Sequence, residues 1–524
     1  MSKTIAKAGM IWGASIALSR VIGLVREAVI GRTLGAGPDA DAYWSAFVVP
    51  DFLNYLLAGG ALSIVFIPIF AAYLARGEET KGWRAFSAIA SFLVVALGVL
   101  TVFLWVGMPQ VVELVAPGFD DAQKARLVEL SRILLPAQLF HVIGGLLAAA
   151  LQARDQHKEA ALAPLVYNGG IIAGGLVLGG TLGAAGFAWG VLAGSFLGPF
   201  LLPWLACRKH GMRWTFGLDL KHADLRTYLA RSLPIMIGFS IVVVDDWFLR
   251  REGSKLGTGA VTTLTYAKNL MKVPMGVFGL AAGVAAYPTL ARLATEGKFL
   301  DLRDTLIRTL RHLVLLAFAA QAVLSTAGQP IAAALYGRRV LAERDVREIA
   351  TCLFLVSLGL VAWSAQTVIA RGFYALGNTT LPAVLGTVVA VVAFPAYFFA
   401  GSLGGTHGLA LVSSLAILVY VALLGWKLAH ELPALDRERW IELRTFGAKS
   451  VVALAVGWAL GTVFGLAFTP PGTFTSAVLQ TIVLGGITFA GFALAAHFLH
   501  IPEIAVWRER VAARFGARAA DSAA

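Results

Sequence analysis

The sequence predicts an all-α, polytopic membrane protein with fourteen transmembrane helices, arranged as two pseudo-symmetric six-helix lobes plus two C-terminal helices. Three observations predict it. The 524 residues are 58% hydrophobic and only 14% charged, with a mean hydropathy of +0.76, too apolar for a soluble chain of this length. Apolar runs long enough to cross a hydrocarbon core, which takes about 20 residues per helix, recur from end to end. Landmarks of the first half return in the second at a nearly constant offset.

Runs bounded by charge, proline or glycine give the spans in order. The first six fall near residues 8–34, 43–74, 85–108, 127–151, 162–182 and 186–207, and the next six near 227–249, 260–290, 305–327, 346–376, 380–403 and 407–428. A final pair lies near 446–468 and 475–499. The expected organisation is an N-lobe over 1–225, a C-lobe over 226–435, an extra helix pair over 436–500 and a cytoplasmic tail over 501–524. The 56 glycines sit inside apolar runs, where small residues let helices approach closely.

An even number of spans puts both termini on one side. Lys and Arg number roughly 27 in loops on the terminal side and about 9 on the other, so both termini are expected in the cytoplasm. Arg250, Arg251 and Lys255, with Arg338, Arg339, Arg344 and Arg347, run against this bias. Either they line an aqueous vestibule or the count errs there. The net charge of +13 would suggest nucleic acid in a soluble protein, but here basic loops facing anionic headgroups account for it. No nucleic-acid partner is expected.

The duplication rests on particular residues. Pro50 and Pro68 flank a Gly-rich run in the second span as Pro274 and Pro288 do in the eighth, and Pro164 opens the fifth span as Pro382 opens the eleventh. Residues 182–188 resemble 403–410. Repeats of six helices enter the membrane in the same direction, which relates them by an axis along the membrane normal and predicts a central cavity with alternating access.

An ionisable group at bilayer depth costs at least a few kcal/mol, so it is expected to face a cavity or a partner. Arg20, Arg26 and Glu27 lie in the first span; Lys268 and Lys272 share one face of the eighth, with Asn269 beside them. Asp39, Asp41, Asp51, Asp245 and Asp246 are the carboxylates able to balance them. Guanidinium and ammonium groups in a cavity favour an anionic cargo, and the planar arginine fork suits phosphate. His141 and His312 are read as packed or interfacial groups. Cys207 and Cys352 lie in or at apolar segments without metal-ligand spacing and are assigned no chemistry. No metal site, P-loop or nucleophile motif is found, so an enzyme is not expected. Without a nucleotide site or cofactor, energy is expected from the membrane potential or a monovalent cation, with Asp245 as a coupling-cation ligand.

The chain resembles the lipid II flippases called MurJ or MviN, of the multidrug/oligosaccharidyl-lipid/polysaccharide exporter superfamily. The resemblance is carried by residues 19–27, Gly35-Ala36-Gly37 through Asp41-Ala42-Tyr43, Pro50-Asp51-Phe52-Leu53, Gly60-Ala61-Leu62-Ser63 and Phe66-Ile67-Pro68. It continues through Leu151-Gln152-Ala153-Arg154, Ala163-Pro164 to Asn168, Tyr266-Ala267, Pro274-Met275-Gly276-Val277 and Phe373-Tyr374 to Pro382. It implies outward movement of undecaprenyl-diphosphate-linked peptidoglycan precursor across the bacterial inner membrane. It implies that Arg20, Arg26 and Asp41 serve that movement; with Lys268 and Lys272 of the cationic stripe, and Asn54 and Asn269 at positions where the family carries charge, they make up the expected substrate-binding set. A groove for the lipid tail is implied in the last helix pair, with envelope-synthesis machinery as a further partner. Where the family pattern carries charge, this chain has Asn54, Gly59, Asn269 and Asn378. A flippase for another lipid-linked oligosaccharide is therefore the alternative, and a cation-coupled drug exporter of the same superfamily a more distant one.

Overall fold

The computed structural model describes residues 3–58, 65–236, 241–337 and 341–505. Among these residues the chain is helical, without strands. The order is α1 (Lys3–Leu34), α2 (Pro38–Ser45), α3 (Val48–Ala58), α4 (Ile67–Ala75), α5 (Glu79–Val106), α6 (Met108–Val115), α7 (Asp121–Leu134), α8 (Ala137–Gln152), α9 (Lys158–Leu182), α10 (Ala184–Ser195) and α11 (Leu202–Lys209). Next come α12 (Ala223–Met236), α13 (Ile241–Gly253), α14 (Ala260–Pro274), α15 (Ala281–Thr295), α16 (Phe299–Tyr336), α17 (Glu343–Ser357), α18 (Leu360–Ala375), α19 (Thr380–Glu431), α20 (Arg437–Gly465) and α21 (Phe474–Phe498).

Eight helices among the described residues are long and apolar enough to cross a membrane, and nine if α17 and α18, bent by 41° to each other, act together. One of the eight, α19, contains a non-helical Gly405 and so holds the expected eleventh and twelfth spans. Others of the expected spans are divided. The eighth is α14, a π-helical turn over Met275–Leu280 and α15; the sixth is α10, a π-helical turn over Phe196–Leu201 and α11. Pro199 lies inside one wide turn and Pro274 immediately before the other, where a missing amide N–H and the ring's bulk interrupt the i→i−4 ladder.

The chain forms two compact units. Unit 1 comprises Met1–Phe239, Val243–Thr262 and Arg339–Leu341; unit 2 comprises Ser240–Val242, Thr263–Arg338 and Ala342–Ala524. In unit 1 an aromatic core joins Phe66, Phe70, Trp83 and Phe86 to Leu146, Leu147 and Tyr228. Glycine works as packing material where α9 meets α10: a Cβ on Gly170 would stand 2.6 Å from the Cα of Gly194, and one on Gly174 would stand 2.6 Å from the Cα of Gly190. In unit 2 the C-terminal pair packs on α16 through Leu315, Ala319, Phe446, Ala453, Phe492 and Ala496. A Cβ on Gly457 would come within 2.9 Å of the Thr488 carbonyl, so α20 and α21 lie backbone to backbone. Large apolar side chains stay exposed on the long helices, among them Val102 and Phe103 on α5 and Val391 and Val392 on α19, as a lipid-facing surface requires.

Candidate substrate-binding site

Within unit 1 the centre of charge is Arg26 on α1. Its Nη1 donates to Oδ1 of Asn168 on α9 at 2.9 Å, and its Nη2 donates to the neighbouring Glu27 carboxylate. Asn168 is held for this by its own turn of helix, since its Nδ2 donates to the Pro164 carbonyl at 2.9 Å, leaving Oδ1 to face the guanidinium. Glu27 and Asn168 are buried, 7% and 6% exposed, and Arg26 keeps 26% of its side-chain surface. Its Nε is enclosed and has no hydrogen-bond acceptor among the described residues. A part-buried charge is thus neutralised by one carboxylate and retains one enclosed donor, an arrangement suited to an incoming anion. Arg20, six residues earlier on α1, is exposed, and Asn54 on α3 is half-buried.

Asp41 is placed differently from a ligand-binding carboxylate. It is fully buried on α2, a helix of eight residues and too short to span a membrane, and it accepts from Gly259 N, from Thr262 N at 2.8 Å and from Thr262 Oγ1 at 2.6 Å. These donors belong to the first turn of α14 and the residue before it, so Asp41 acts as an N-cap supplied from 218–221 positions away. Burial pushes its carboxyl up to about 6, against the pull of the donors from Thr262 and Gly259. Gly259 sits at φ +88°, and a Cβ there would meet the Ala36 carbonyl at 2.7 Å. The glycine lets the two segments close on each other.

Four of the cations that ran against the loop bias have partners, and Arg344 is exposed. Arg250 lies 3.7 Å from Asp51, Arg251 pairs with Glu252, Lys255 reaches Glu252 at 2.6 Å, and in unit 2 Arg347 pairs with Glu343 at 2.8 Å. Arg338 and Arg339 lie outside the described residues, as does Gly59. Asp245, the expected coupling-cation ligand, is fully buried on α13, and Asp246 beside it is half-buried.

In unit 2 the two lysines of α14 separate in environment. Lys268 is 3% exposed, with Nζ 4.8 Å from the centroid of the Trp363 ring, a cation–π contact. Lys272 and Asn269 are half-buried. Tyr266 stacks on Tyr336 with centroids 4.0 Å apart and packs this part of α14 against α16. Asn378 accepts from Leu381 N at 3.1 Å and so serves the start of α19. Sequence reasoning missed Asn168 as the partner of Arg26; the two are 142 positions apart, and the only signal was Asn168's place in a matched stretch. It also missed Trp363, which lies 95 positions beyond Lys268, from 268 to 363.

The fold and these buried, partnered cations define a polytopic, all-helical membrane transporter. The chain belongs to the MurJ lipid II flippase family: the family model described as "Lipid II flippase MurJ" matches residues 30–485. It is 30% identical over 383 residues to the lipid II flippase MurJ of Burkholderia cenocepacia, covering 72% of this chain and 74% of that one. The probable lipid II flippase MurJ of Vibrio cholerae is 28% identical over 484 residues, covering 88% of this chain and 90% of its own. Among solved structures, a lipid II flippase MurJ in an inward closed conformation superposes with a TM-score of 0.76 at 19% identity, over 93% of this chain and 98% of that one. An inward-facing multidrug resistance MATE transporter of the MOP superfamily gives a TM-score of 0.63 at 15% identity, over 79% of this chain. The expected family and fold class are thereby established; the number of spans is the part of the fold that the helices leave open.

Proposed function

We propose that this protein moves lipid II, the undecaprenyl-diphosphate-linked peptidoglycan precursor, from the cytoplasmic to the periplasmic leaflet of the bacterial inner membrane by alternating access, with both termini cytoplasmic. It works as a transporter and not as a catalyst. Family membership supports the cargo, and the observation in this chain that carries the reading is the part-buried Arg26 with an unengaged Nε. In this reading the diphosphate takes that donor and competes with Asn168 and Glu27 for the others, while exposed Arg20 on the same helix attracts the headgroup. Half-buried Lys272 and Asn269 are the proposed substrate-binding residues of unit 2. Asn54 contributes hydrogen bonds. Lys268, packed against the Trp363 ring, is a further proposed substrate-binding residue of unit 2, and Asp41 acts by closing the chain around the start of α14. Asp245 is the proposed ligand of a monovalent coupling cation, and the membrane potential, at about 2.3 kcal/mol per charge per 100 mV, is the proposed alternative drive.

The test is replacement of the essential flippase in a depleted strain. Wild-type protein restores growth; Arg26→Ala, although it reaches the membrane, lowers outward delivery of lipid II by about tenfold or more, the cost of a lost charged hydrogen bond. Arg26→Lys, which keeps the charge but loses the fork, gives an intermediate rate. If the wild-type chain reaches the membrane and fails to restore growth, the lipid II assignment falls. The uncharged Asn54 and Asn269 then favour the second reading, a flippase for a different lipid-linked oligosaccharide.

A further inference from the structure

Glu348 and Cys352 are one helical turn apart on α17, and four-residue spacing sets both on one face. Opposite them, α19 turns at Gly405 (φ 57°, ψ −141°) and presents Thr406 and His407 on the next residues. The result is a compact group of unlike ligands: a Glu348 carboxylate oxygen, the Cys352 sulfur and a His407 ring nitrogen all lie within 4.8 Å of one another. His407 Nε2 already stands 3.1 Å from Glu348 Oε1, and Thr406 Oγ1 donates to the same oxygen at 2.5 Å, fixing the carboxylate's orientation. Cys352 is fully buried at the base, while the His407 and Glu348 side chains keep 47% and 38% of their surface. The group is closed on the sulfur side and open on the imidazole side.

We propose that Glu348, Cys352 and His407 form a binding site for a borderline-soft divalent transition ion, Zn²⁺ being the best fit. The donor set is the argument. A thiolate, an imidazole and a carboxylate together are favoured by zinc and its first-row neighbours, whereas Mg²⁺ and Ca²⁺ require all-oxygen shells. Zinc–ligand bonds of about 2.0–2.3 Å in tetrahedral geometry imply ligand atoms roughly 3.3–3.8 Å apart. The His407–Glu348 edge already stands at 3.1 Å, and the edges to Cys352, each within 4.8 Å, reach that range by closing about 1 Å or less, within the reach of side-chain rotation. Three protein ligands leave the fourth position to water. On binding, the Cys352 thiol releases its proton to solvent as the metal–sulfur bond forms, and His407 binds through a neutral nitrogen. Thr406 keeps its hydrogen bond to the carboxylate and holds the ligand in place.

The first repeat has no such set at the equivalent places. A shift of 222 positions maps 348 to 126, 352 to 130, 406 to 184 and 407 to 185, which are Arg126, Leu130, Ala184 and Ala185. The ligands are therefore a property of the second repeat, where they clip α17 to the turn in α19.

The experiment uses the full chain, purified in detergent and stripped with EDTA, with Co²⁺ alone as the probe. The expected result is a saturable visible spectrum of tetrahedral cobalt with a sulfur-to-cobalt charge-transfer band, reaching one ion per chain and displaced by Zn²⁺. Cys352→Ser removes the charge-transfer band while Cys207, the other cysteine, remains as an internal control. His407→Ala, a change at a half-exposed side chain that the fold tolerates, weakens Co²⁺ by about tenfold or more. The proposal is overturned if the wild-type protein gives no sulfur-to-cobalt band, or if the band survives Cys352→Ser, or if His407→Ala binds Co²⁺ as wild type does.

Discussion

At Gly183 the chain turns with φ 57° and ψ −130°, and at Gly405 it turns with φ 57° and ψ −141°. The two positions are 222 apart, 183 against 405, and three residues after each comes a second glycine that admits no side chain. A Cβ on Gly186 would stand 2.7 Å from the Leu178 carbonyl carbon; one on Gly408 would stand 2.2 Å from the Ala400 oxygen, and 178 and 400 are again 222 apart. The backbone device is repeated, while the chemistry around it is not. At the first turn Arg126 binds Asp39 at 2.6 Å and the Leu182 carbonyl at 2.8 Å, and Asp39 accepts from Ala184 N at 2.8 Å. At the second, Glu348 stands where Arg126 would be, among Thr406, His407 and Cys352. Duplication kept the residues that the turn needs sterically and let the side chains around it take opposite charge.

The largest effect that can break this comparison is at the turns themselves. Both glycines have a φ and ψ that L-residues enter only with strain of about 1–3 kcal/mol. A Cβ on Gly183 would also meet the Asp39 carboxylate at 2.6 Å, whereas one on Gly405 meets nothing within 4 Å. Gly183→Ala is therefore expected to lower the thermal midpoint of the purified protein more than Gly405→Ala. Equal losses would show that the Asp39 contact gives way at no cost.

Next in size is the contrast between the two aspartates of α2. Asp39 is half-exposed and ion-paired; Asp41 is fully buried, with its carboxyl raised to about 6 by burial. A raised folded-state value means that the folded protein binds the proton more tightly than the unfolded chain. The associated stability is present below about 4 and is lost as pH rises through about 6, an amplitude on the order of 2–3 kcal/mol. Asp41→Asn, uncharged throughout, should flatten the thermal midpoint over that range. A profile unchanged by the substitution would assign the dependence to another group.

The smallest effect concerns Arg126 against Glu348. Both pairs are part-exposed, so solvent screening limits them: Arg126→Ala should cost about 1 kcal/mol and Glu348→Ala about half that or less in metal-free protein. Added Zn²⁺ should raise the midpoint of wild type and not of Glu348→Ala, which sharpens the difference between the turns.

Much of this was readable in the order of residues. The break between the expected eleventh and twelfth spans falls at Gly405, between the predicted limits of 403 and 407, because an apolar run must stop where the backbone turns. The fifth span ends at Leu182, as the glycine after it requires. The recurrence of landmarks in the two halves was equally visible, and the matched turns at Gly183 and Gly405 give it a physical basis. The wide turns near Pro199 and Pro274 were not foreseen: an apolar run with one proline reads as a continuous helix, and only packing decides how the broken ladder is absorbed.

Sequence by itself determined the solvent, the helical class and the turns that only glycine can make, since these follow from local composition and from steric limits within a few residues. It also marked Arg26 and Lys268 as charges in need of a reason. Tertiary structure decided what each of these groups meets: Asn168 for Arg26, Trp363 for Lys268, the amides at the start of α14 for Asp41, and His407 for Cys352. Electrostatics and metal coordination act over a few ångströms of space, and residues 55 to 221 positions apart along the chain enter that range only when the helices have packed.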